Sequence, residues 1–359
     1  MPACVFHTPY ALEPERVSAS AIRPIKMRDA LEEAGYKVFE ITGHARERRA
    51  RLRYLREHMD NGLRIDFVYS ENATIPPSIT EPKHLPVYLG LDRAIFRFFH
   101  QQGVPVGVFY RDIYWKFDSL WRSQVGALAW PLTKLYQHEV ATYNKYADVV
   151  YLPSRRMEAF VPELHATTLE LPPGGQLRGD GQVPAHFNVF YTGSITGQYR
   201  LKPLTQAVAD LPEVRATLCV PRNQWNEHGH EYPACERIQV SHASGDGLDP
   251  LYDAASVAFV GLDSQYGSFA QPVKFYEYLA AGKPVIANTG TLVAELVEQM
   301  NVGWVVNNEV ADLKRLLARL QSDPQEVKAA TQRVLALRHQ HTWVARARQV
   351  ARDLMGGAA

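Results

Sequence analysis

The sequence is poor in the features that place a chain in a special class. Its 359 residues include three cysteines, Cys4, Cys219 and Cys235, an odd number with no C-x-x-C spacing. That excludes a disulfide framework and a zinc ribbon, and it points to a reducing compartment. The formal net charge is only +1, so no global field draws the chain to nucleic acid, and any attraction for anions must come from local clusters. No apolar run reaches the roughly 18 residues that a membrane span needs. The opening residues, Met-Pro-Ala-Cys-Val-Phe-His, lack the basic start and apolar stretch of a signal peptide. The expected location is cytoplasmic, with any membrane contact peripheral and at the inner face.

Several motifs are also missing. There is no P-loop with Gly-Lys-Ser/Thr and no G-x-G-x-x-G after the first strand, which argues against a kinase and a dinucleotide-dependent dehydrogenase. No Asp-x-Asp or His-x-x-x-His cluster occurs, so no metal site and no resident cofactor are expected. No repeat of 20–50 residues or low-complexity tract is present.

What remains is an ordinary globular composition, 46% hydrophobic and 21% charged, at a length that suits two domains of roughly 170 residues each. Short apolar runs at 38–41, 65–69, 104–110 and 149–152 alternate with helical stripes such as Met27, Ala30, Leu31 and Ala34 before Gly35. The segment 171–184 is rich in Pro and Gly and reads as a linker. Beyond it the rhythm restarts at 189–192, 216–220, 238–240, 257–262, 285–288 and 303–306, followed by a helical tail from 310 to 354. Such alternation predicts an α/β chain with parallel sheets, in which ligands bind beyond the C-terminal ends of the strands. The domains are expected at 1–172 and 186–335, with a terminal helix at 336–359.

In the first half, three groups fall at such positions: Ser18 to Pro24 before the first helix, Ser70-Glu71-Asn72, and Arg111-Asp112 with the aromatic stretch through Tyr114, Trp115 and Phe117. Asp112 sits where a carboxylate can take a proton from an acceptor hydroxyl. It also fits a local salt bridge with Arg111 or a helix cap, and Glu71 is a second candidate base. Arg23, ahead of Lys26, is read at a helix N-terminus that suits an anion, or as a surface arginine. Six arginines lie between Arg46 and Arg56 beside the apolar stripe Leu52, Leu55 and Met59. A helix of that kind can rest on anionic lipid headgroups, or simply be solvated. Trp115, Trp121 and Trp130 suit sugar stacking or a core.

In the second half, Gly193-Ser194-Ile195-Thr196-Gly197 follows a strand and precedes a helix, a turn whose backbone N–H groups can face an anion. Arg200 and Lys202 lie just beyond it, and Arg222 follows the next strand. His242 reads as incidental. The segment 271–288 is a helix framed by Pro272 and Gly282 and then a buried strand. Lys274 and Glu277, three apart, share a helix face near its positive end. The pair fits a diphosphate and ribose, although a Lys and a Glu so spaced are more often a solvated ion pair.

These residues carry a resemblance. The stretch 271–288, in a chain of this length, resembles the donor-binding segment of GT-B glycosyltransferases, and most of all the retaining group with an E-x7-E motif. The second Glu of that motif corresponds to Glu277, while Phe269 stands where the first would be. The Gly193 turn is similar to the start of the GT-B C-terminal domain, with Ser194 in place of the usual Arg and Arg200 and Lys202 nearby. The resemblance implies two Rossmann-like domains facing across a cleft and a metal-independent, hexosyltransferase-like enzyme. Lys274, Gly193, Ser194, Arg200 and Arg222 would hold the nucleotide sugar with Glu277 on its ribose. Arg23, Glu71, Arg111 and Trp115 would hold the acceptor, and Asp112 would serve as base. The basic and aromatic segments favour a lipid-linked or cell-surface polysaccharide acceptor. A sugar-nucleotide epimerase and a non-catalytic subunit of a glycosylation complex are the alternatives.

Overall fold

The computed structural model describes residues 1–13, 19–86, 88–116, 121 and 125–356, so that Ser18 and Phe117, singled out above, lie outside it. The chain forms two compact units, Met1–Pro172 with Arg346–Ala359, and Pro173–Ala345.

The first unit is built on six parallel strands in the order β2-β1-β3-β4-β5-β6. They are β1 (Ala3–His7), β2 (Lys37–Ile41), β3 (Phe67–Glu71), β4 (Val106–Phe109), β5 (Val149–Leu152) and β6 (Thr168–Glu170). All five residues of β1 are buried, although the apolar runs read from the sequence do not include it. β3 begins two residues later than its apolar run, so Ser70 and Glu71 belong to the strand instead of the loop after it. The helices of this unit are α1 (Ala19–Glu33), α2 (Ala45–Asp60), α3 (Leu91–Gln101) and α4 (Ala129–Tyr146). Pro24 lies inside α1, which puts Arg23 past its first turn and corrects the N-terminal placement read from the sequence. Strand order reverses between β1 and β3, the kind of crevice where α/β sheets take ligands.

The second unit repeats the plan with the order β12-β11-β10-β7-β8-β9. Its strands are β7 (Asn188–Thr192), β8 (Arg215–Cys219), β9 (Ile238–Ser241), β10 (Val257–Val260), β11 (Val285–Asn288) and β12 (Gly303–Val306). Side chains alternate across this sheet. Val189 and Tyr191 pack with Leu204, Val208 and Leu317 on one face. Phe190 packs with Phe275, Tyr278, Leu279 and Val293 on the other. The connecting helices used below are α5 (Lys202–Ala209), α6 (Arg222–His228) and α7 (Val273–Ala280). The reversal here falls between β7 and β10, beside the Gly193 turn.

The Pro/Gly-rich stretch is packed, not loose. The N–H of Gly175 donates to the carbonyl of His341 at 2.8 Å, and a Cβ on Gly175 would meet the carbonyl oxygen of Tyr276 at 2.3 Å. Only glycine allows that approach, which fixes the backbone of α7. The helical tail is three helices, Val310–Ser322, Pro324–Leu337 and Trp343–Met355. Asp323 starts the second of them by accepting from Gln325 N at 3.1 Å and Glu326 N at 3.3 Å. Among the described residues no helix is long and apolar enough to cross a membrane.

Candidate functional site

In the second unit, β7 delivers the chain into the turn at Gly193, whose φ of 117° suits glycine alone. Lys274, on the first turn of α7, reaches beneath it. A Cβ on Gly193 would sit 2.9 Å from Lys274 Nζ. Nζ donates to Tyr191 Oη at 2.7 Å and lies 4.0 Å from the Tyr191 ring centre and 3.8 Å from that of Tyr199. Tyr191 in turn donates to the carbonyl of Ser194. Lys274 is 8% exposed and has no carboxylate partner among the described residues. Burial alone pulls its ammonium well below the usual lysine range. Two tyrosine faces soften that cost through cation–π attraction but do not remove it. An anion beside the turn would.

The turn itself differs from the open anion cradle read from the sequence. Gln224, on α6, accepts through Oε1 from Ile195 N at 3.0 Å and from the Ser194 hydroxyl at 3.0 Å. Thr196 N donates to Ser194 Oγ at 3.2 Å. The reason is the usual one, that backbone N–H groups away from bulk water take partners. Glu277, one turn further along α7, is half-buried and accepts from Gln176 N at 3.3 Å.

Lys274, Gly193 and Ser194 are therefore brought together. Arg200 lies at the far end of the turn, donating to Gly197 O at 2.6 Å and pairing with Asp263 at 3.2 Å. Lys202 is exposed and pairs with Glu231 at 2.6 Å. Arg222 is exposed at the start of α6. His242 faces the carbonyl of Val220 at 2.7 Å. Tyr191, Tyr199 and Gln224 are absent from the sequence reading, and no local pattern marks them, because they meet Lys274 and the turn only through tertiary packing.

In the first unit, Arg23, Glu71 and Arg111 converge. Glu71 is fully buried. Its Oε1 accepts from Arg23 Nε at 3.0 Å and Tyr69 Oη at 2.8 Å, and its Oε2 from Arg111 Nη2 at 3.2 Å. Arg111 also donates to Tyr10 Oη at 3.0 Å, and the Arg23 guanidinium lies 3.5 Å from the Phe109 ring centre. Glu71 is thus committed to two guanidinium groups, a poor arrangement for a general base. Trp115 is 7% exposed, stacked on Tyr136 at 5.1 Å with its Nε1 donating to Tyr110 Oη at 2.8 Å. It is a core residue and presents no face for sugar stacking. Arg48, counted among the six basic residues of α2, turns inward onto Asp92 at 2.6 Å, because Asp92, already 3.1 Å from His7, is buried and needs a counter-charge.

Asp112 is half-buried and follows Arg111, whose N–H donates to Asn72 Oδ1 at 2.8 Å. Asn72 also donates to Glu139 Oε1 at 3.3 Å, and the Tyr143 hydroxyl donates to that same oxygen. Burial pushes the Glu139 carboxyl up to about 8, aided by the charges of Asp92 and Asp112. Among the described residues no group of three His, Cys, Asp or Glu is placed to hold a metal.

The raised acid makes a testable statement about stability. Glu139 binds more protons folded than unfolded between about pH 4.5 and 8, so its contribution is full below that range and lost as pH rises through it. His7, lowered from 6.5 by burial, and Lys274 act in the opposite sense. The difference between wild type and Glu139→Gln isolates the one group: urea unfolding from pH 5 to 9 is expected to show wild-type stability falling relative to the variant, and parallel curves contradict it.

Residues 256–347 match a family model described as glucosyltransferase 3-like, C-terminal domain. That span contains Lys274 and Glu277. No curated protein matches the sequence. Among solved structures, sucrose-phosphate synthase from Thermosynechococcus elongatus is similar over 98% of each chain, with a TM-score of 0.62 and 17% identity. The Anabaena protein HepE in complex with UDP-glucose is similar over 98% of each chain, with a TM-score of 0.61 and 13% identity. WaaG, described as a glycosyltransferase involved in lipopolysaccharide biosynthesis, matches over 98% of this chain and all of its own, with a TM-score of 0.58 and 15% identity. With two six-stranded parallel sheets, each reversing its strand order at the candidate sites, the chain has the GT-B fold.

Proposed function

We infer that the chain is a glycosyltransferase that moves a sugar from a nucleoside diphosphate sugar to an acceptor hydroxyl. The observation that carries this reading is the buried ammonium of Lys274, without a carboxylate among the described residues, under the Gly193 turn at the strand-order reversal. A diphosphate supplies the missing negative charge there, and Glu277, one helical turn away, is suited to ribose hydroxyls. UDP is the nucleotide to try first, since UDP-sugar complexes occur among the structural neighbours.

In the reaction, the bond from the sugar C1 to the donor phosphate oxygen breaks and a bond from the acceptor oxygen to C1 forms. Lys274, with Arg200 and Arg222, offsets the charge that develops on the leaving diphosphate. With inversion at C1 the acceptor proton goes to Asp112. With retention the donor phosphate takes it, and Asp112 orients the acceptor. Arg23, Glu71 and Arg111 form the rigid, ion-paired floor of the acceptor side, and Trp115 supports it from the core.

A lipid-linked precursor of a surface polysaccharide suits the surface of the first unit. Arg46, Arg49, Arg51, Arg53 and Arg56 are exposed along α2, with Tyr54 half-exposed and the Arg49 guanidinium 4.8 Å from the ring centre of Tyr88. Each such arginine adds about 1 kcal/mol of attraction to an anionic leaflet. Cosedimentation with vesicles containing phosphatidylserine is expected, falling at high salt and with Arg49, Arg53 and Arg56 changed together to Gln. Equal sedimentation with neutral vesicles argues against this acceptor class.

The donor reading is tested by melting with UDP. A ligand at 100 times its Kd stabilises the folded state by about 2.7 kcal/mol. Lys274→Met is expected to melt higher than wild type without ligand, because the cost of burying the lysine nitrogen, charged or stripped of its proton, is gone. The same variant should bind UDP at least about tenfold more weakly, as lost charge-assisted hydrogen bonds are worth about 1.5–3 kcal/mol. Glu277→Ala should also reduce the shift. If UDP does not move the wild-type transition, or moves that of Lys274→Met equally, the reading fails.

A further inference from the structure

Two donors of the Gly193 turn, the N–H of Ile195 and the hydroxyl of Ser194, converge on a single oxygen, Gln224 Oε1, each at 3.0 Å. That is the arrangement in which a loop holds one oxygen of an oxyanion, yet the oxygen present is a neutral carboxamide from the chain itself. Ser194 Oγ passes the interaction on by accepting from Thr196 N at 3.2 Å. The turn is already wired around an acceptor.

We propose that Gln224 is a built-in stand-in for a phosphate oxygen, which closes the turn when no donor is bound and is displaced when the diphosphate enters. The inference rests on the donor reading above and adds the residue that regulates access to the site. Three features of the structure favour displacement over a permanent structural bond. First, an ionised oxygen makes hydrogen bonds roughly twice as strong as a neutral one, so a phosphate outcompetes the carboxamide for the same donors. Second, the Lys274 ammonium lies under the same turn, 2.9 Å from where a Cβ on Gly193 would be, and it gains only from the charged competitor. Third, the side chain can leave without its helix. Gln224 is half-buried, while α6 is held in place by the Trp225 ring, 5.5 Å from that of Tyr232, and by the Tyr232 hydroxyl, which donates to Ile195 O at 3.5 Å.

The consequence is selectivity for the diphosphate. A ligand without phosphate at the turn leaves Gln224 in place and gains nothing from the two donors. A ligand with one must first break the internal bonds, so its affinity is set by the difference between two acceptors, and removing the internal one should tighten binding.

The experiment is calorimetric titration of wild type, Gln224→Met, Gln224→Glu and Lys274→Met with UDP, inorganic pyrophosphate and uridine. Gln224→Met keeps the volume without the acceptor, and it is expected to bind UDP and pyrophosphate about three- to tenfold more tightly than wild type, with uridine unchanged. Gln224→Glu places a fixed carboxylate on the same donors and is expected to bind UDP at least about tenfold more weakly. Melting of each free variant near the wild-type temperature shows that the fold is retained. If wild type binds UDP and Lys274→Met does not, but Gln224→Met binds equally or more weakly, Gln224 is a permanent brace and this inference falls while the donor site stands. If uridine tightens as much as UDP, Gln224 acts on the nucleoside and the inference also falls. If neither wild type nor Gln224→Met binds UDP or pyrophosphate, both the inference and the donor reading are overturned.

Discussion

The second unit is organised around a buried ammonium, that of Lys274, which no carboxylate among the described residues neutralises. Folding places Lys274 on the first turn of α7, with Phe275, Tyr278 and Leu279 of the same helix in the core. The side chain that remains is held between Tyr191 and Tyr199. Moving it to solvent would require breaking that packing, and among the described residues no carboxylate neutralises it. An isolated buried charge costs several kcal/mol even after relaxation. Such a cost persists where a ligand offsets it. The Gly193 turn above it and the relay through Tyr191 to the Ser194 carbonyl place that charge below a strand end.

The first unit treats its buried charges in the opposite way. Glu71 lies between Arg23 and Arg111, and Asp92 meets the Arg48 guanidinium beside the His7 ring, so each of these two carboxylates has a guanidinium partner. Pairs of this kind contribute little net stability but punish the loss of one partner. They tie the ends of β1 and β3 to α1, α2 and α3 and leave the geometry near Asn72, Arg111 and Asp112 rigid. Asn72 links both sides of that arrangement, since it accepts from Arg111 and donates to Glu139. The Glu71 and Asp92 sites are thus preorganised by ion pairing, while the Lys274 site is left with a charge to be satisfied.

Much of this was legible in the sequence, for identifiable reasons. Pro272 and Gly282 frame α7 by local backbone preference, so the position of Lys274 relative to Glu277 followed from helical spacing alone. The Gly-rich turn after β7 and the alternation of strands and helices were equally local. What the sequence did not show depends on partners far along the chain. Arg23, Glu71 and Arg111 were each visible as polar residues near strand ends, but not that they would neutralise one another. Arg48 stands in a basic run whose other arginines are exposed, and only Asp92, 44 residues away, turns it inward. Trp115 reads the same whether it stacks on a sugar or on Tyr136. Gln224 has no motif at all, because its role exists only where α6 meets the Gly193 turn.

The central claim is that Lys274 awaits an anion, and proton uptake on binding tests it most directly. Burial lowers the lysine in the free protein, and a bound diphosphate raises it again, so binding between the two values must draw a proton from solution. Titrating UDP in buffers of different ionisation enthalpy, from about pH 7 to 10, measures that number. The account predicts uptake by wild type that exceeds the uptake by Lys274→Met, together with wild-type affinity that weakens as pH rises. Equal proton exchange by the two proteins would contradict it.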